Sequence, residues 1–480
     1  MSTLDDCKSM HFTGIFGSGM SAIAQYLADT GVIVSGSDRL IGSIDSVKVK
    51  QALIKSGCSI HPQDGSGISA DTNAVCVSTA IEETNPDIAA ARTLGIPILH
   101  RSDVLASIVK SRKSVAVAGT SGKSTVTAMI FELLTACGMS PSLISGAALR
   151  SLEQIGLLGN SFCGKSDILI IEADESDGTL VKYEPYASVI LNLSKDHKPE
   201  EEVLEMFARL IKQSTWSAIN ADDAKLRGLG ASTTFGFCDL AEFRGAMTEI
   251  NPLSTVITIN KTADNADNNA GAIDKTANNA NAASYKLPAP GAHNASNLMA
   301  ALCVCRRLGC DESCLVDAVS RYKGVDRRFS ITRTPSGVTV IDDFAHNPEK
   351  IRAAISAAKN LSNSITAVYQ PHGFGPTRFL KNEYASTFKE ILRPTDTLCL
   401  LPIYYAGGTA VKDICSQDIV ALMGDIPFNA IAADDRDQAI AAIKKSTPPS
   451  GAVLLMGARD PSLSSFAKSI IDIFGGERNR

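Results

Sequence analysis

The chain has 480 residues, of which 44% are hydrophobic and 20% charged, and its formal net charge is -5. This length predicts two to four domains, and the acidic balance argues against a general nucleic-acid binder, because phosphate contacts need a basic surface. No uncharged apolar run approaches the roughly 18 residues of a membrane span, and the polar start differs from a secretory signal. We therefore expect a cytoplasmic protein with no nucleic-acid or membrane partner. Its oligomeric state cannot be predicted from the sequence.

The first hundred residues alternate strand-like runs with helical stretches, which predicts a parallel sheet flanked by helices. We expect strands at residues 11–16, 32–38, 74–78 and 96–100, and a helix over residues 22–30. A glycine turn, Gly14-Ile15-Phe16-Gly17-Ser18-Gly19-Met20-Ser21-Ala22, joins the first strand to this helix, and Asp38 closes the second strand. This G-x-G-x-x-A spacing suits the pyrophosphate and ribose of a nucleotide.

A second α/β unit begins with a strand at residues 114–118. It continues into a short GxxGKST phosphate loop with a helix behind it: Gly119-Thr120-Ser121-Gly122-Lys123-Ser124-Thr125. The backbone N–H groups would cradle phosphate, Lys123 would reach the β- and γ-phosphates, and the Ser124 hydroxyl would ligate magnesium. We place Lys123 on an exposed loop and expect Lys123→Ala to abolish ATP turnover without disturbing the fold.

Acidic residues follow the predicted buried strand at residues 167–171. Glu172 lies at the carboxyl end of this strand, where ligands bind in α/β sheets, and is a natural magnesium ligand opposite Ser124. The alternative is a solvated acidic turn. A further strand at residues 187–193 precedes His197, which is either a second metal contact or a surface histidine.

The remainder predicts a third α/β segment, with strands at residues 338–341, 365–369, 397–401 and 452–456. Residues 260–284 are rich in Asn, Ala and Asp and are expected to form a solvated insertion between two strands. The cysteines, densest at residues 303–314, lack paired metal-site spacing and are expected to be free and structural. Three α/β domains are predicted, at residues 1–112, 113–325 and 326–480.

The order of these strings resembles the Mur ligases of peptidoglycan synthesis, above all the branch that joins L-alanine to UDP-N-acetylmuramate. The resembling stretches are residues 11–38, 77–81, 119–127, 172–177, 196–197, 288–297, 324–329, 342–348 and 370–372. The resemblance implies an N-terminal Rossmann-like UDP-binding domain, a central P-loop-type ATPase domain and a C-terminal Rossmann-like domain for the amine substrate.

The resemblance also implies roles for residues in each domain. The UDP-substrate candidates are Gly17, Ser18, Gly19, Met20, Asp38, Ser78 and Arg101. The ATP candidates are residues 119–125 with Asn294, Arg327 and Asp342, and the metal candidates are Ser124, Glu172 and His197. The catalytic candidates are Lys123, His197 and His346, and the amine-substrate candidates are His346, His372 and Arg378. The implied cofactors are ATP and Mg²⁺, and the implied substrates are UDP-N-acetylmuramate and an amino acid or short peptide.

The departures from the family pattern gather where the amine substrate would bind. The chain has Phe344-Ala345-His346-Asn347-Pro348 where Tyr-Gly-His-His-Pro is usual, and Gly373 and Pro376 replace two arginines. Phe344 and Ala345 resemble the muropeptide-recycling branch, which adds a tripeptide. In the phosphate loop, Ser121 stands where a histidine is common.

Other functions remain as alternatives. A dehydrogenase would use the glycine turn and Asp38, but it leaves the phosphate loop and Glu172 unexplained. A non-catalytic nucleotide-binding relative would keep the fold without ligation, although Lys123 and Ser124 are both retained. A folate-type or other amide ligase would not account for the UDP-type first domain.

Overall fold

The computed structural model describes residues 7–43, 46–176, 178–194, 198–251, 253–260, 282–405, 411–460 and 462–475. The chain divides into two compact units, Met1–Val325 and Asp326–Arg480. The described residues form three β-sheets, two in the first unit and one in the second. The predicted domain boundaries near residues 112 and 325 stay a prediction. None of the helices in the described part of the chain combines the length and apolar character that crossing a bilayer requires.

The first sheet is parallel in its described strands, as the alternating pattern predicts, and has the order β3-β2-β1-β4-β5. Its strands are β1 (Ser9–Thr13), β2 (Ile33–Ser37), β3 (Ser59–His61), β4 (Ala74–Val77) and β5 (Ile98–His100). The flanking helices are α1 (Ser18–Asp29), α2 (Val47–Lys55), α3 (Pro86–Thr93) and α4 (Arg101–Lys110). Helix α1 begins earlier than the predicted residue 22, because the glycine turn itself contributes the first helical turn.

The second sheet has the order β15-β14-β13-β12-β11-β10-β6-β9-β7-β8. Its strands are β6 (Lys113–Ala118), β7 (Ser142–Ile144), β8 (Ser161–Phe162), β9 (Ile168–Glu172), β10 (Ala187–Ile190), β11 (Trp216–Asn220), β12 (Thr233–Gly236), β13 (Phe243–Asn251), β14 (Ser254–Asn260) and β15 (Ala282–Leu287). Its helices are α5 (Lys123–Ala136), α6 (Arg150–Glu153), α7 (Glu200–Gln213), α8 (Ala292–Arg307) and α9 (Glu312–Ser320), with a 3-10 helix at Thr179–Lys182. The central strands β6, β9 and β10 are parallel and lie between packed helices, which explains their continuous apolar sequences.

The predicted insertion at residues 260–284 is too long at both ends. Asn260, the last residue of β14, pairs with Ala282, the first residue of β15, and the antiparallel pairing continues to Leu287. Ala283, Tyr285 and Leu287 alternate into the core, a period-2 pattern hidden by the polar composition around it. Residues 261–281, the rest of the insertion, lie outside the described residues.

The prediction that every cysteine is free is wrong for one pair. Cys303, Cys305 and Cys310 are buried as expected, but Cys137 and Cys314 form a disulfide whose Cα atoms are 5.7 Å apart. The two residues lie at the end of α5 and within α9, 177 positions apart in sequence. Spacing along the chain gives no sign of such a long-range pairing, which depends on how the two helices pack.

The second unit contains the third sheet, in the order β16-β17-β21-β18-β19-β20. Its strands are β16 (Ser330–Arg333), β17 (Thr339–Asp343), β18 (Ile365–Gln370), β19 (Thr397–Leu400), β20 (Asn429–Ala432) and β21 (Ala452–Gly457). Its helices are α10 (Pro348–Lys359), α11 (Phe374–Ile391), α12 (Ser416–Leu422), α13 (Arg436–Ser446) and α14 (Leu463–Phe474). Strand β16 pairs antiparallel with β17. The other neighbours in this order, from β17 through β21, β18 and β19 to β20, all pair in parallel.

The two sheets of the first unit share one hydrophobic core. Phe12 and Ile23 of the first sheet and its helix belong to the same buried cluster as Ile171 and Phe207 of the second sheet and its helix. Burial of this apolar surface is the main force that holds the two sheets together. The glycine turn and the phosphate loop therefore belong to one packed body.

Candidate active site

The phosphate loop connects β6 to α5 in the order predicted. Gly122, the residue before α5, has φ 86°, which favours glycine. A Cβ on Gly122 would lie 2.6 Å from Asn297 Oδ1, so a larger residue would not fit. The first N–H groups of α5 lack partners within the helix, which gives the loop the character of an anion site.

Asn192 holds the phosphate loop from the neighbouring strand and was not singled out as a site residue from the sequence. Its Oδ1 accepts from Thr120 Oγ1 and from the Ser121 backbone N–H, both at 2.9 Å. Its Nδ2 donates to the Ser121 carbonyl oxygen at 2.9 Å. Asn192 follows β10, which lies beside β6. A polar residue between Leu191 and Leu193, at the end of an apolar run, was the signal that could have revealed it.

Lys123 is not the exposed loop residue that we expected. Its side chain is 15% exposed, and Nζ lies 2.6 Å from Glu175 Oε2 and 3.6 Å from Asp174 Oδ1. Nζ also donates to the Gly119 carbonyl oxygen at 2.9 Å. The lysine folds back over its own loop because the carboxylates after β9 lie beside it.

Electrostatics keep Lys123 charged beside these two carboxylates. Burial works to lower the pKa of Lys123, but the Glu175 and Asp174 carboxylates outweigh it and raise that pKa. Burial raises the pKa of Glu175 despite the opposing effect of Lys123. Burial also acts to raise the pKa of Asp174, but Lys123 leaves it below its usual value. The lysine thus remains cationic where a phosphate group would lie.

Glu172 ends β9 and pairs in register with Val117 of β6. Its Oε1 accepts from Ser145 Oγ at 2.6 Å. Ser124 lies in the first turn of α5 and is buried. Carboxylate and hydroxyl oxygens suit Mg²⁺, which usually takes few protein ligands together with substrate phosphates. The donor chemistry of Glu172 and Ser124 therefore fits the predicted ion.

The third predicted metal ligand, His197, lies outside the described residues. Among the residues that are described, no group of three or more His, Cys, Asp or Glu side chains could hold a metal by itself. A site built from Glu172 and Ser124 would thus depend on phosphate and water oxygens.

The glycine turn of the first sheet is hydrogen-bonded to the end of β2. The N–H groups of Gly14 and Ile15 donate to the Ser37 carbonyl oxygen at 2.8 and 3.0 Å. Asp38 Oδ2 accepts from the Phe16 N–H at 3.0 Å, and its Oδ1 accepts from the Leu40 N–H at 2.9 Å. One carboxylate oxygen of Asp38 therefore holds the backbone of the glycine turn, and the other holds the segment that follows β2.

The other UDP-substrate candidates divide into two groups. The Arg101 guanidinium lies so close to Gly19 that a Cβ on this glycine would be 3.0 Å from Nη1. Gly17 and Ser18 form the start of α1 beside Gly19. Ser78 follows β4, the strand next to β1. The Met20 side chain, by contrast, is buried in the core, so only its backbone remains for a ligand.

Asn294 connects to the phosphate loop through its helix. Its Nδ2 donates to the Pro290 carbonyl oxygen at 2.8 Å, and its Oδ1 accepts from Asn297 Nδ2 at 3.5 Å. Asn297 Oδ1 is the atom that lies against Gly122. Helix α8 therefore brings Asn294 close to the loop.

In the second unit, Arg327 and Asp342 bind each other. Arg327 Nε lies 3.2 Å from Asp342 Oδ1, and Nη2 donates to the Gly457 carbonyl oxygen at 2.7 Å. Both side chains are buried. Burial raises the pKa of Asp342 to about 6, although Arg327 favours the ionised carboxylate. These two predicted nucleotide contacts therefore already hold the start of the third sheet together.

The predicted histidines of this unit meet at the carboxyl end of its parallel strands. The rings of His346 and His372 pack edge to face with centroids 5.6 Å apart, and Phe344 packs on His346 at 5.7 Å. His346 Nδ1 donates to the Phe344 carbonyl oxygen at 2.9 Å, and the Tyr384 hydroxyl donates to the His346 carbonyl oxygen at 3.0 Å. This places His346 in a defined orientation.

Arg378 lies in a cavity of about 450 Å³ that Lys381 and Asp413 also line. It donates through Nε to Asp413 Oδ1 at 3.0 Å and through Nη2 to the Val411 carbonyl oxygen at 3.0 Å. The pair is exposed, with 41% and 51% of the two side chains accessible. Arg378 is therefore open to exchange Asp413 for another carboxylate.

Comparison with known proteins agrees with this arrangement. Residues 9–113 match the description "Mur ligase family, catalytic domain", residues 117–305 "Mur ligase middle domain" and residues 327–459 "Mur ligase, glutamate ligase domain". The UDP-N-acetylmuramate–L-alanine ligase of Paenarthrobacter aurescens is 33% identical, with 98% of each chain covered. The corresponding protein of Acetivibrio thermocellus is 30% identical over 94% of each chain.

Solved structures show the same architecture. The UDP-N-acetylmuramate–alanine ligase of Thermotoga maritima superposes with a TM-score of 0.77 at 25% identity, covering 97% of this chain and 99% of its own. A murein peptide ligase of Psychrobacter arcticus gives 0.67 at 18% identity, covering 98% and 100%, and shows the fold alone. The three-domain α/β fold class predicted from the sequence is thus confirmed. On these grounds the chain belongs to the Mur ligase family, whose members are ATP-dependent amide-bond ligases.

Proposed function

We propose that this protein activates the carboxylate of UDP-N-acetylmuramate with ATP and joins it to an amino acid, with L-alanine as the default amine. The observation that carries the proposal is that Lys123, at the N-terminus of α5, contacts the acids that follow β9, the strand that ends at Glu172 on the carboxyl edge of the second sheet. The full-length similarity to UDP-N-acetylmuramate–L-alanine ligases supports the choice of substrates.

ATP would bind with its phosphates on the N-terminal turn of α5. The N–H groups of this turn point along the helix axis towards the loop, and the helix dipole favours an anion there. Lys123 would leave Glu175 and Asp174 to contact the β- and γ-phosphates. Asn192 keeps the loop backbone in place while the lysine moves, because it binds Thr120 and Ser121 and not Lys123.

Glu172 and the Ser124 hydroxyl would hold Mg²⁺, which when bound supplies positive charge against the phosphate oxygens. His197 is proposed as a further contact to metal. The chain's own contribution is to present oxygen ligands of fixed orientation, since Ser145 holds one oxygen of Glu172.

The UDP portion of the second substrate would bind at the glycine turn of the first sheet. Gly17, Ser18 and Gly19 open α1 and would present N–H groups to the diphosphate, and Arg101 would add a cation beside Gly19. Because the first two sheets share a core, both ligands would be held by one packed unit.

The chemistry follows from what each group offers. A carboxylate is a poor electrophile, so transfer of the γ-phosphoryl group to it creates an acyl-phosphate with phosphate as the leaving group. Lys123 would stabilise the charge on the phosphoryl group during transfer. An amine then attacks the acyl carbon, and the tetrahedral intermediate collapses to an amide with release of phosphate.

The C-terminal unit would bind the amine substrate. His346 and His372 are proposed to lie near the incoming amine, and Arg378 to bind its carboxylate. Bidentate arginine–carboxylate pairing gives both affinity and orientation. Gly373 and Pro376 cannot provide such pairing, so Arg378 would carry it without the two arginines usual in the family.

The proposal is tested by phosphate release from ATP and magnesium with UDP-N-acetylmuramate and a panel of amines. The panel contains L-alanine, glycine, L-serine and the tripeptide L-alanyl-γ-D-glutamyl-meso-diaminopimelate, which is included because Phe344 and Ala345 depart from the alanine-adding pattern. Release that requires both UDP-N-acetylmuramate and L-alanine is the expected result. If the tripeptide is the only amine that supports release, it replaces L-alanine as the proposed amine substrate. No release with any amine despite ATP binding would contradict the proposed ligase.

A further inference from the structure

A continuous line of hydrogen bonds joins the glycine turn of the first sheet to Glu172 of the second. It begins at the first turn of α1, where Asn160 Nδ2 donates to the Ser18 carbonyl oxygen at 2.9 Å and to Ser21 Oγ at 3.0 Å. Asn160 Oδ1 accepts from Gln25 Nε2 at 3.1 Å. The side-chain amide of Asn160 is therefore fully engaged with α1, although Asn160 itself lies in the second sheet's part of the chain.

The line continues through the backbone of Asn160. Its carbonyl oxygen accepts from the Ser145 N–H at 2.9 Å. This bond extends the antiparallel pairing of β7 with β8, in which Ile144 pairs with Ser161. Because Asn160 precedes β8 and Ser145 follows β7, the sheet register fixes one residue against the other.

Ser145 completes the line at the proposed metal carboxylate. Its Oγ lies 2.6 Å from Glu172 Oε1, and both Ser145 and Asn160 are buried. Gly146 is the next residue, and a Cβ there would lie 3.5 Å from Glu172 Oε2. One oxygen of Glu172 is thus fixed by a hydroxyl, while the other faces a residue without a side chain.

We infer that Ser145 and Asn160 are positioning residues that connect the two proposed ligand sites, Ser145 by orienting Glu172 and Asn160 by fixing both Ser145 and the first turn of α1. The inference rests on the proposed function, because it takes Glu172 as a metal ligand and α1 as the diphosphate helix. Hydrogen bonds to a ligating carboxylate set its orientation, and their loss commonly weakens metal binding by about 10- to 100-fold.

Asn160 distinguishes a connection from two separate local effects. Its side-chain hydrogen bonds all go to α1, whereas Glu172 lies two hydrogen bonds away through Ser145. Asn160→Ala would release the first turn of α1 and at the same time loosen the residue whose carbonyl holds Ser145. We therefore expect this substitution to weaken both ligands, while Ser145→Ala weakens the metal alone.

The experiment measures two dissociation constants in the full-length protein. Mn²⁺ binding to the complex with a non-hydrolysable ATP analogue is followed by electron paramagnetic resonance, and UDP-N-acetylmuramate binding by calorimetry. Ser145→Ala is expected to raise the Mn²⁺ dissociation constant about 10-fold and to leave that of UDP-N-acetylmuramate within about 2-fold. Asn160→Ala is expected to raise both by roughly 5-fold or more, because buried hydrogen bonds are lost.

The matched control is Ser188→Ala. Ser188 is a buried serine of β10 whose hydroxyl has no hydrogen-bond partner among the described residues, so its loss removes the same atom without touching the line. Ser21→Ala, which removes one contact of Asn160, is a milder substitute if Asn160→Ala does not fold. It should weaken both ligands in the same sense.

Glu172→Gln separates this inference from the proposed function. If Glu172→Gln loses Mn²⁺ binding while Ser145→Ala matches Ser188→Ala, the metal site stands and the positioning role is wrong. If Asn160→Ala and Ser21→Ala weaken only UDP-N-acetylmuramate, the connection between the sites is wrong. If Glu172→Gln keeps Mn²⁺ binding, the metal site of the proposed function fails and the role of Ser145 fails with it.

Discussion

Lys123 and Glu175 form an ion pair with Nζ 2.6 Å from Oε2, and only 5% of the Glu175 side chain is exposed. The pair lies where the phosphates of ATP are proposed to bind, so the lysine stabilises a buried acid when no phosphate is present. A simple deletion of the lysine would leave that acid without its cation. Loss of stability and loss of function would then be confused.

We predict that Lys123→Ala lowers ATP turnover at least about 100-fold, because it removes a cation from the transferring phosphoryl group. By itself it should also cost about 3 kcal/mol of stability, since a buried carboxylate loses its partner. Adding Glu175→Gln should restore most of the stability and none of the turnover. Phosphate release and thermal unfolding measure the two effects.

Lys225→Ala is the control, because Lys225 pairs with Glu200 in an exposed ion pair of the same unit. It should leave both turnover and unfolding unchanged. Turnover that survives in the double variant Lys123→Ala/Glu175→Gln would show that the loop lysine has no part in phosphate chemistry.

Much of the fold was predictable from the sequence because its signals are local. The apolar runs of β6 and β9, the glycines at Gly119 and Gly122 and the acids after β9 each mark an element or its end within a few residues. The carboxyl ends of parallel strands lie on one edge of a sheet. The phosphate loop and the acids after β9 each follow a predicted strand, which was enough to predict that these two segments lie side by side.

The remainder depends on contacts between distant parts of the chain. The prediction that Lys123 is exposed was wrong because Glu175, from another loop, contacts its side chain. The pairing of Arg327 with Asp342 depends on the register of β16 against β17, which local patterns leave open. Asn160 lies 142 positions from Ser18, and neither residue indicates the other by its type or spacing.

The disulfide between Cys137 and Cys314 predicts a thiol count. The chain has twelve cysteines, of which ten are free. Alkylation of the protein purified without reductant and then denatured should modify ten cysteines, and reduction before alkylation should make all twelve react. Mass spectrometry gives both counts, and a peptide containing both residues should appear only without reductant.

Cys314→Ser is the variant that links this count to stability. A disulfide that closes a long loop stabilises by restricting the unfolded chain, typically by about 2–4 kcal/mol. Without reductant, the unfolding temperature of Cys314→Ser should therefore be lower than that of the wild type. This difference should vanish when reductant is added. For Cys399→Ser, at a buried free cysteine of the other unit, the difference in unfolding temperature from the wild type should be the same with and without reductant. Twelve reactive thiols before reduction would contradict the pairing.

The raised pKa of Asp342, about 6, predicts a pH dependence of stability. Burial favours the protonated acid in the folded protein, so the folded state binds the proton more tightly than the unfolded state. The stabilisation is complete below the unfolded pKa, near about 3.9, and is lost as the pH rises through about 6. Asp342→Asn stays neutral in both states and removes this dependence.

Unfolding of the wild type and Asp342→Asn is compared at about pH 5 and about pH 7.5, where other groups contribute equally to both proteins. The stability of Asp342→Asn relative to wild type should increase by about 1 kcal/mol between the two. Asp425→Asn, at an exposed position of the same unit, should show no such change. A relative stability that is independent of pH would mean that Asp342 titrates alike in the folded and unfolded chain.

Arg378 gives the last prediction, on the amine substrate. Its pair with Asp413 is exposed, and exposed ion pairs contribute little to stability, so a substrate carboxylate could replace Asp413 with little loss. Arg378→Ala should raise KM for the amino acid about 10-fold and leave kcat within about 3-fold, because it removes ground-state binding of the carboxylate. Arg378→Lys should rescue only part of this effect, since lysine lacks the bidentate fork.

The control for this series is Arg352→Ala, because Arg352 forms a similarly exposed pair with Glu390 in the same unit. Its kinetic constants should match those of the wild type. A second comparison uses the amide of the amino acid, which has no carboxylate for Arg378 to bind. The wild type should then show a raised KM, and Arg378→Ala should raise it no further. A KM for the amino acid that is unchanged in Arg378→Ala would exclude this arginine from amine recognition.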